Sequence, residues 1–174
     1  MSSLSPPDAL FPEALRSRAA ALIDLCRSRK LMLASAESCT GGLIAGLITS
    51  VAGSSDVLDC GFVTYSNAAK TRMIGVPAEL ISQHGAVSEA VARAMAEGAL
   101  ANSGADVTMA VTGVAGPGGG TAEKPVGLVH CAVARRGRAG LHRKLELGNL
   151  GRDGVRLQTV AAAIDMAYDV AAAP

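Results

Sequence analysis

Short apolar runs alternate along this chain with segments whose apolar residues recur at helical spacing, and this alternation limits the folds open to it. The spacing predicts helices over residues 10–30, 38–51, 68–74, 77–83, 88–102 and 152–170, and strands over 31–36, 57–65, 107–111, 126–134 and 141–147. Strands alternating with helices favour an α/β fold, a three-layer α/β/α sandwich with a mixed β-sheet. We expect a single domain over residues 10–174, preceded by a flexible tail at residues 1–9.

Composition excludes several classes of protein. Apolar residues make up 49% of the 174 residues and charged residues 18%, a balance too apolar for a disordered chain. The formal net charge is +1, with two Phe, two Tyr and no Trp, so a basic surface with stacking rings for nucleic acid is not expected. The most apolar stretch, residues 42–53, is shorter than the roughly 20 residues that span a bilayer. We therefore expect neither nucleic acid nor a membrane as partner.

The cysteines and histidines are not spaced like metal ligands. No two cysteines form a C-x-x-C pair and no two histidines form an H-x-x-x-H pair, so we expect reduced core thiols, no metal and no cofactor. The first residues lack the basic and apolar regions of a secretory signal, which favours a cytoplasmic location. The residues concerned are Cys26, Cys39, Cys60, Cys131, His84, His130 and His142.

The segment 36–42, A-E-S-C-T-G-G, lies between a predicted strand and a predicted helix. Ligands of open α/β sheets bind at the carboxyl ends of strands. Ser38 or Thr40 could cap the helix, and the N–H groups that follow would favour an anion or oxyanion. The alternative is an ordinary capped turn whose glycines, Gly41 and Gly42, allow close packing. The segment lacks the Gly-Lys-Ser/Thr of a P-loop and the spacing of G-x-G-x-x-G or G-x-S-x-G.

Lys70 follows another predicted strand end, in the segment 64–70. A lysine at such a position is either a solvated surface charge or a desolvated amine that can act as a general base. Tyr65 and Lys70 are five residues apart, which does not match the spacing of four in the short-chain dehydrogenase dyad.

The segment 112–121 combines a strand end with five glycines between residues 113 and 120. Without side chains, its backbone N–H groups are open to a ligand, although a flexible surface hairpin would have the same composition. Arg152 and Arg156, one helical turn apart, could clamp an anion or lie on a solvated helix face.

Five motifs occur in one order: A-E-S-C-T-G-G at 36–42, Y-S-N-x-x-K at 65–70, G-A-V-S-E at 85–89, T-G-x-A-G-P-G-G at 112–119 and K-P-V-G at 124–127. Over residues 31–167 the chain thereby resembles the C-terminal domain family of the competence-damage-inducible protein CinA, whose stand-alone members include nicotinamide mononucleotide deamidases. The resemblance implies a metal-free amidohydrolase that releases ammonia and nicotinate mononucleotide in NAD recycling. It implies Ser38 as the nucleophile, Lys70 as its base and Tyr65 as a residue that orients or polarises this dyad.

The same resemblance implies a set of residues that bind a pyridine mononucleotide: Thr40, Gly41, Gly42, Thr112, Gly113, Gly116, Gly118, Gly119 and Arg152. The chain departs from the family pattern at Gly151, where an acidic residue is usual before the arginine. The molybdopterin-binding-like domain of other CinA proteins has no counterpart in these residues.

Two alternatives stay open. The domain could bind a nucleotide or a competence-related protein partner without catalysis, or Cys39 could replace Ser38 as the nucleophile, since thiols are intrinsically the better nucleophiles. A chain this apolar also leads us to expect a homodimer or higher homo-oligomer.

Overall fold

A five-stranded mixed sheet forms the middle layer of the protein, whose computed structural model describes residues 10–174. The strands lie in the order β2-β1-β3-β4-β5. β1 is parallel to β2 and β3, whereas β4 is antiparallel to both β3 and β5. Their bounds are Leu33–Glu37 for β1, Leu58–Val63 for β2, Val107–Gly113 for β3, Leu128–Arg135 for β4 and Leu141–Glu146 for β5.

Six helices within residues 10–174 cover the two faces of this sheet. Helices α1 (Glu13–Arg29), α2 (Leu43–Thr49) and α6 (Gly151–Ala172) pack together on one face, and α3 (Asn67–Ile74), α4 (Ala78–His84) and α5 (Glu89–Ala101) on the other. A short 3-10 turn, Ser54–Asp56, precedes β2. The three-layer α/β/α fold with a mixed sheet is therefore confirmed. The tail expected at residues 1–9 lies outside the described residues.

Burial along the strands follows from their positions in the sheet. Every residue of β1 is buried, because neighbouring strands and both helical layers surround it. Along the edge strand β2, partly buried residues alternate with exposed ones, and in the other edge strand, β5, most residues are exposed. The interior strand β1 is thus enclosed along its whole length, and its last residue, Glu37, lies at the carboxyl end of the parallel strands.

The core consists mainly of Ala, Val, Leu and Ile side chains, with a few Met and Cys and one Phe, in two separate clusters, one on each side of the sheet. Helix α5 can approach its neighbours closely because Gly98 has no side chain. A Cβ at Gly98 would lie 1.9 Å from the carbonyl oxygen of Ile74. None of the helices within residues 10–174 is both long and apolar enough to cross a membrane.

The predicted bounds need one substantial correction. The helix expected over 38–51 begins only at Leu43, and residues 38–42 form a turn in which Gly41 and Gly42 have φ of 64° and 100°. Residues with positive φ cannot belong to a right-handed helix, and glycine adopts this conformation without strain. Ser38 therefore lies in the turn before the helix and does not cap it.

Candidate active site

Three strand ends meet at one edge of the sheet. The backbone N–H of Ser38, just after β1, donates to the carbonyl of Val111 in β3 (3.1 Å), and the N–H of Thr64, just after β2, donates to the carbonyl of Glu37 (2.8 Å). These bonds continue the parallel ladder for one residue past each strand. The segments 36–42, 64–70 and 112–121 thereby become neighbours, as the rule for parallel strands predicts.

Lys70 points into the protein from α3 and meets Ser38. The helix begins after Ser66, whose hydroxyl accepts from the N–H of Ala69, so that Lys70 lies one turn inside it. The Lys70 side chain is buried, with 1% of the residue exposed. Its Nζ donates to Ser38 Oγ (3.1 Å) and to the carbonyl of Thr64 (2.9 Å).

The surroundings of Lys70 disfavour its charged form. Within residues 10–174, no carboxylate oxygen lies within 4 Å of Nζ to form an ion pair. Burial removes the ammonium from water and lowers the pKa of Lys70. The structure therefore contradicts the reading of Lys70 as a solvated surface charge.

The first N–H groups of α2 are occupied by Glu37. Its carboxylate accepts from the backbone N–H groups of Gly42 (3.0 Å), Ile44 (3.0 Å) and Ala45 (2.9 Å). The prediction that the N–H groups after the turn are available to a ligand anion is therefore wrong for these three groups. A buried carboxylate from the preceding strand supplies the negative charge that a helix N-terminus attracts.

Thr40 is fixed from two sides. It is fully buried; its hydroxyl donates to Glu37 Oε2 (2.6 Å), and its carbonyl accepts from an Arg156 Nη (2.9 Å). Arg156 therefore braces the turn after β1, and it also contacts Asp153 on its own helix (3.4 Å). The suggestion that Arg156 forms an anion clamp with Arg152 is not supported, because the two side chains reach different segments.

Arg152 links the third segment to the second. One guanidinium nitrogen donates to the carbonyl of Gly116 (2.8 Å) and another to the hydroxyl of Tyr65 (3.0 Å). Tyr65 is 61% exposed. The structure thus joins Tyr65 to Arg152, while the two hydrogen bonds of Lys70 go to Ser38 and Thr64; an influence of Tyr65 on the dyad stays a prediction.

The glycines of the 112–121 segment serve two purposes. A Cβ at Gly113 would lie 2.6 Å from a Val129 methyl group, and one at Gly116 would lie 2.7 Å from a Val126 methyl group, so both allow close packing. A Cβ at Gly118 or Gly119 would meet nothing within 4 Å. The outer glycines therefore leave backbone open to a ligand, whereas the inner ones fit the loop to β4.

The other predicted residues take defined places. The buried hydroxyl of Thr112 donates to the carbonyl of Ala86 (2.8 Å), and Lys124 Nζ donates to the carbonyl of His84 (2.8 Å). The first bond fastens the start of the Gly-rich segment to the loop between α4 and α5, and the second fastens the residues just after that segment to the end of α4. Within residues 10–174, no group of three His, Cys, Asp or Glu side chains could hold a metal ion.

Cys39 lies beside Ser38 in sequence but is buried in the core. Burial raises the pKa of its thiol to about 12, so the thiol is protonated near neutral pH. The thiolate is the reactive form of cysteine. These surroundings favour Ser38 over Cys39 as the nucleophile.

A family model, described as the CinA C-terminal domain, matches residues 15–171. The chain belongs to this family. A CinA-like protein of Citrifermentans bemidjiense is 55% identical over 141 residues, which is 81% of this chain and 34% of that protein. A CinA-like protein of Akkermansia muciniphila is 63% identical over 107 residues, or 62% of this chain and 26% of that protein. The chain thus spans about a quarter to a third of the length of these curated relatives.

Solved CinA-family structures have the same fold over nearly their whole length. The competence/damage inducible protein CihA from Agrobacterium tumefaciens superimposes with a TM-score of 0.90 at 51% identity, covering 91% of this chain and 96% of that one. A competence-damaged protein (CinA) superfamily protein from Escherichia coli gives a TM-score of 0.85 at 28% identity, covering 94% and 95%.

Two functional contacts were not predicted from the sequence. The carbonyl of Thr64 holds Lys70, and the carboxylate of Glu37 organises the turn after β1. The Thr64 carbonyl leaves no signal, because every residue has one. Glu37 does leave one: an acidic residue at the end of an otherwise apolar buried strand requires several hydrogen-bond donors.

Proposed function

We propose that this domain is a nicotinamide mononucleotide deamidase, an amidohydrolase in which Ser38 and Lys70 form the catalytic dyad. The observation that carries the proposal is the hydrogen bond between buried Lys70 Nζ and Ser38 Oγ, made where no carboxylate pairs with the amine. Because its pKa is lowered, a larger fraction of Lys70 is neutral and able to accept a proton. The proton donor within hydrogen-bond distance is the Ser38 hydroxyl.

The chemistry then proceeds in two stages. Neutral Lys70 takes the Ser38 proton while Oγ bonds to the carboxamide carbon, and the resulting ammonium passes a proton to the departing nitrogen, which leaves as ammonia. Lys70 next takes a proton from water, whose oxygen attacks the ester carbon; the ammonium returns that proton to Ser38 Oγ as the ester bond breaks, and nicotinate mononucleotide is released. The Thr64 carbonyl accepts a hydrogen bond from the amine and keeps Nζ beside Oγ in both stages.

The tetrahedral oxygen needs donors other than the N–H groups of Gly42, Ile44 and Ala45. The N–H groups of Gly42, Ile44 and Ala45 already serve Glu37, so the oxyanion must be held by other groups around the turn after β1. Thr40, Gly41 and Gly42 stay in the proposed set of substrate-binding residues because they form the turn that carries Ser38, although the N–H groups of Gly41 and Gly42 are bonded within that turn.

The nucleotide phosphate is assigned to Arg152 and the open part of the Gly-rich segment. Arg152 is exposed and carries five N–H donors, of which its bonds to Gly116 and Tyr65 use two. A guanidinium with free donors suits bidentate phosphate binding. Gly118 and Gly119 place uncovered backbone in the same loop.

An assay of ammonia and nicotinate mononucleotide, with nicotinamide mononucleotide as substrate, tests the proposal. We expect both products in equal amounts from the wild type and neither from Ser38→Ala. Binding of the mononucleotide without release of ammonia by the wild type would contradict the enzyme and support the non-catalytic alternative.

A further inference from the structure

The carboxylate of Glu37 is one of the most completely engaged groups in the protein. Glu37 is 1% exposed, and besides the three backbone amides of α2 it accepts from the hydroxyls of Ser35 (3.0 Å) and Thr40 (2.6 Å). A carboxylate has about four lone-pair sites, so five donors saturate it. Glu37 therefore has no lone pair left to act as a general base, a role that its place beside Ser38 would otherwise suggest.

The geometry ties both ends of the Ser38 turn to one residue. Ser38 is bonded covalently to Glu37, and the Glu37 side chain turns back to bind the Thr40 hydroxyl and the Gly42 N–H. Within the ring so closed, the N–H of Gly41 donates to the carbonyl of Ser38 (3.2 Å). The backbone on either side of Ser38 thus has few alternative conformations.

The carboxylate of Glu37 does not form an ion pair with Lys70. Its oxygens lie more than 4 Å from Lys70 Nζ, since no such ion pair occurs within residues 10–174. A carboxylate bonded to the amine would stabilise the ammonium and raise its pKa. The buried charge is instead neutralised by backbone dipoles and hydroxyls, which leaves Lys70 free to lose its proton.

We propose that Glu37 is a positioning residue for the reaction: its carboxylate holds the turn 38–42 so that Ser38 Oγ faces Lys70. This inference rests on the function proposed above for Ser38 and Lys70. Glu37 touches neither the substrate nor the reacting atoms and acts through the backbone that carries Ser38.

The main test compares Glu37→Gln with the wild type. In either orientation the glutamine amide would point an N–H₂ group at a backbone N–H, that of Ala45 or those of Gly42 and Ile44, so the turn must shift. We expect kcat to fall about 10- to 100-fold. KM for the mononucleotide should change by less than about threefold, because the phosphate contacts are untouched. The pH at which kcat is half-maximal should stay the same, because Lys70 is still the base.

A matched pair of hydroxyl deletions separates positioning from folding and also serves if Glu37→Gln fails to fold. Ser35→Ala and Thr40→Val each remove one hydroxyl donor to the same carboxylate, but only Thr40 belongs to the turn. We expect kcat to fall about tenfold in Thr40→Val and to stay within about threefold of wild type in Ser35→Ala. Equal kcat in the two variants, with only the melting temperature lowered, would overturn the proposal.

Labelling of Ser38 by a fluorophosphonate gives a readout that does not depend on the natural substrate. The reagent phosphonylates an activated serine: the serine oxygen bonds to phosphorus, fluoride leaves, and Lys70 takes the serine proton. We expect labelling about tenfold slower in Glu37→Gln than in the wild type and none in Ser38→Ala. A wild type that is labelled but releases no ammonia would defeat the deamidase proposal while the labelling rates still test Glu37. Equal labelling rates in wild type and Glu37→Gln would overturn the role of Glu37.

Discussion

Lys70 Nζ lies 3.1 Å from Ser38 Oγ, although 32 residues of sequence separate them. The serine follows strand β1 and the lysine lies in the helix after the neighbouring strand β2, so the parallel pairing of these strands brings them together. Because the lysine is enclosed and also bonded to the Thr64 carbonyl, Nζ is held on the serine and cannot turn to solvent.

Removal of the serine hydroxyl should abolish catalysis and spare binding. We expect Ser38→Ala to lower kcat by at least about 10³-fold, since loss of a covalent nucleophile typically costs several orders of magnitude. Calorimetric titration of Ser38→Ala should give a dissociation constant for the mononucleotide within about threefold of that of the wild type, because Ser38 is not proposed to contact the phosphate. Cys39→Ser is the neighbouring control and should keep most of the activity. A fast Ser38→Ala enzyme with an inactive Cys39→Ser would reverse the assignment.

The pH dependence of kcat should report Lys70. The base works only when neutral, so kcat should fall as the pH drops below the pKa of Lys70 and level off above it. Since burial lowers that pKa, the midpoint should lie below the ordinary lysine value of about 10.4. Lys70→Arg keeps a cation that does not deprotonate and should be as inactive as Lys70→Ala. Near wild-type kcat in Lys70→Arg would mean that the lysine supplies only positive charge.

Arg152 should govern substrate affinity more than turnover. Loss of a charge-assisted contact costs about 1.5–3 kcal/mol, which corresponds to a KM for the mononucleotide raised about 10- to 150-fold in Arg152→Ala. The dephosphorylated riboside is the matched control, because it lacks the group that Arg152 is proposed to bind. It should be a poor substrate for the wild type and no worse for the variant. An unchanged KM for the mononucleotide would mean that the loop backbone, and not Arg152, binds the phosphate.

Replacement of two helical glycines by alanine should change the free energy of unfolding in opposite directions. Gly98→Ala would force a Cβ to 1.9 Å from the Ile74 carbonyl, and such overpacking costs about 1–3 kcal/mol, more than the gain of roughly 0.5–1 kcal/mol in helix propensity. At Gly46 the nearest atom to a new Cβ is 3.7 Å away, an ordinary contact, so the propensity gain should remain. Urea denaturation should show a lower free energy of unfolding for Gly98→Ala and a higher one for Gly46→Ala.

The sequence predicts the elements of this fold well where local signals act alone. Ser88 begins a helix in the prediction and in the structure, because its hydroxyl accepts from the N–H of Val91 (3.3 Å). Local patterns also predict the order of strands and helices and the hairpin of β4 and β5. The rules of parallel sheets then predict that the three segments meet at the carboxyl ends of the strands.

Prediction failed where a distant or buried group overrides the local signal. Ser38 has the sequence context of a helix cap, but the Glu37 carboxylate takes the amides that a cap would bind and delays the helix to Leu43. The burial of Lys70 depends on how α3 packs against the sheet, which no pattern within residues 64–70 contains. The partner of Tyr65, Arg152, is 87 residues away.

Arg152 and Arg156 belong to α6, the last helix to be synthesised, so the candidate site is complete only when this helix has formed. As the chain leaves the ribosome, Ser38 and Lys70 are made early, before β3, whose Val111 carbonyl accepts from the N–H of Ser38. Arg152 and Arg156, which bind Gly116 and Thr40, are made much later. A nascent chain that stopped before α6 would thus lack both the arginine that braces the Ser38 turn and the arginine proposed to bind the phosphate, so the last helix completes the site.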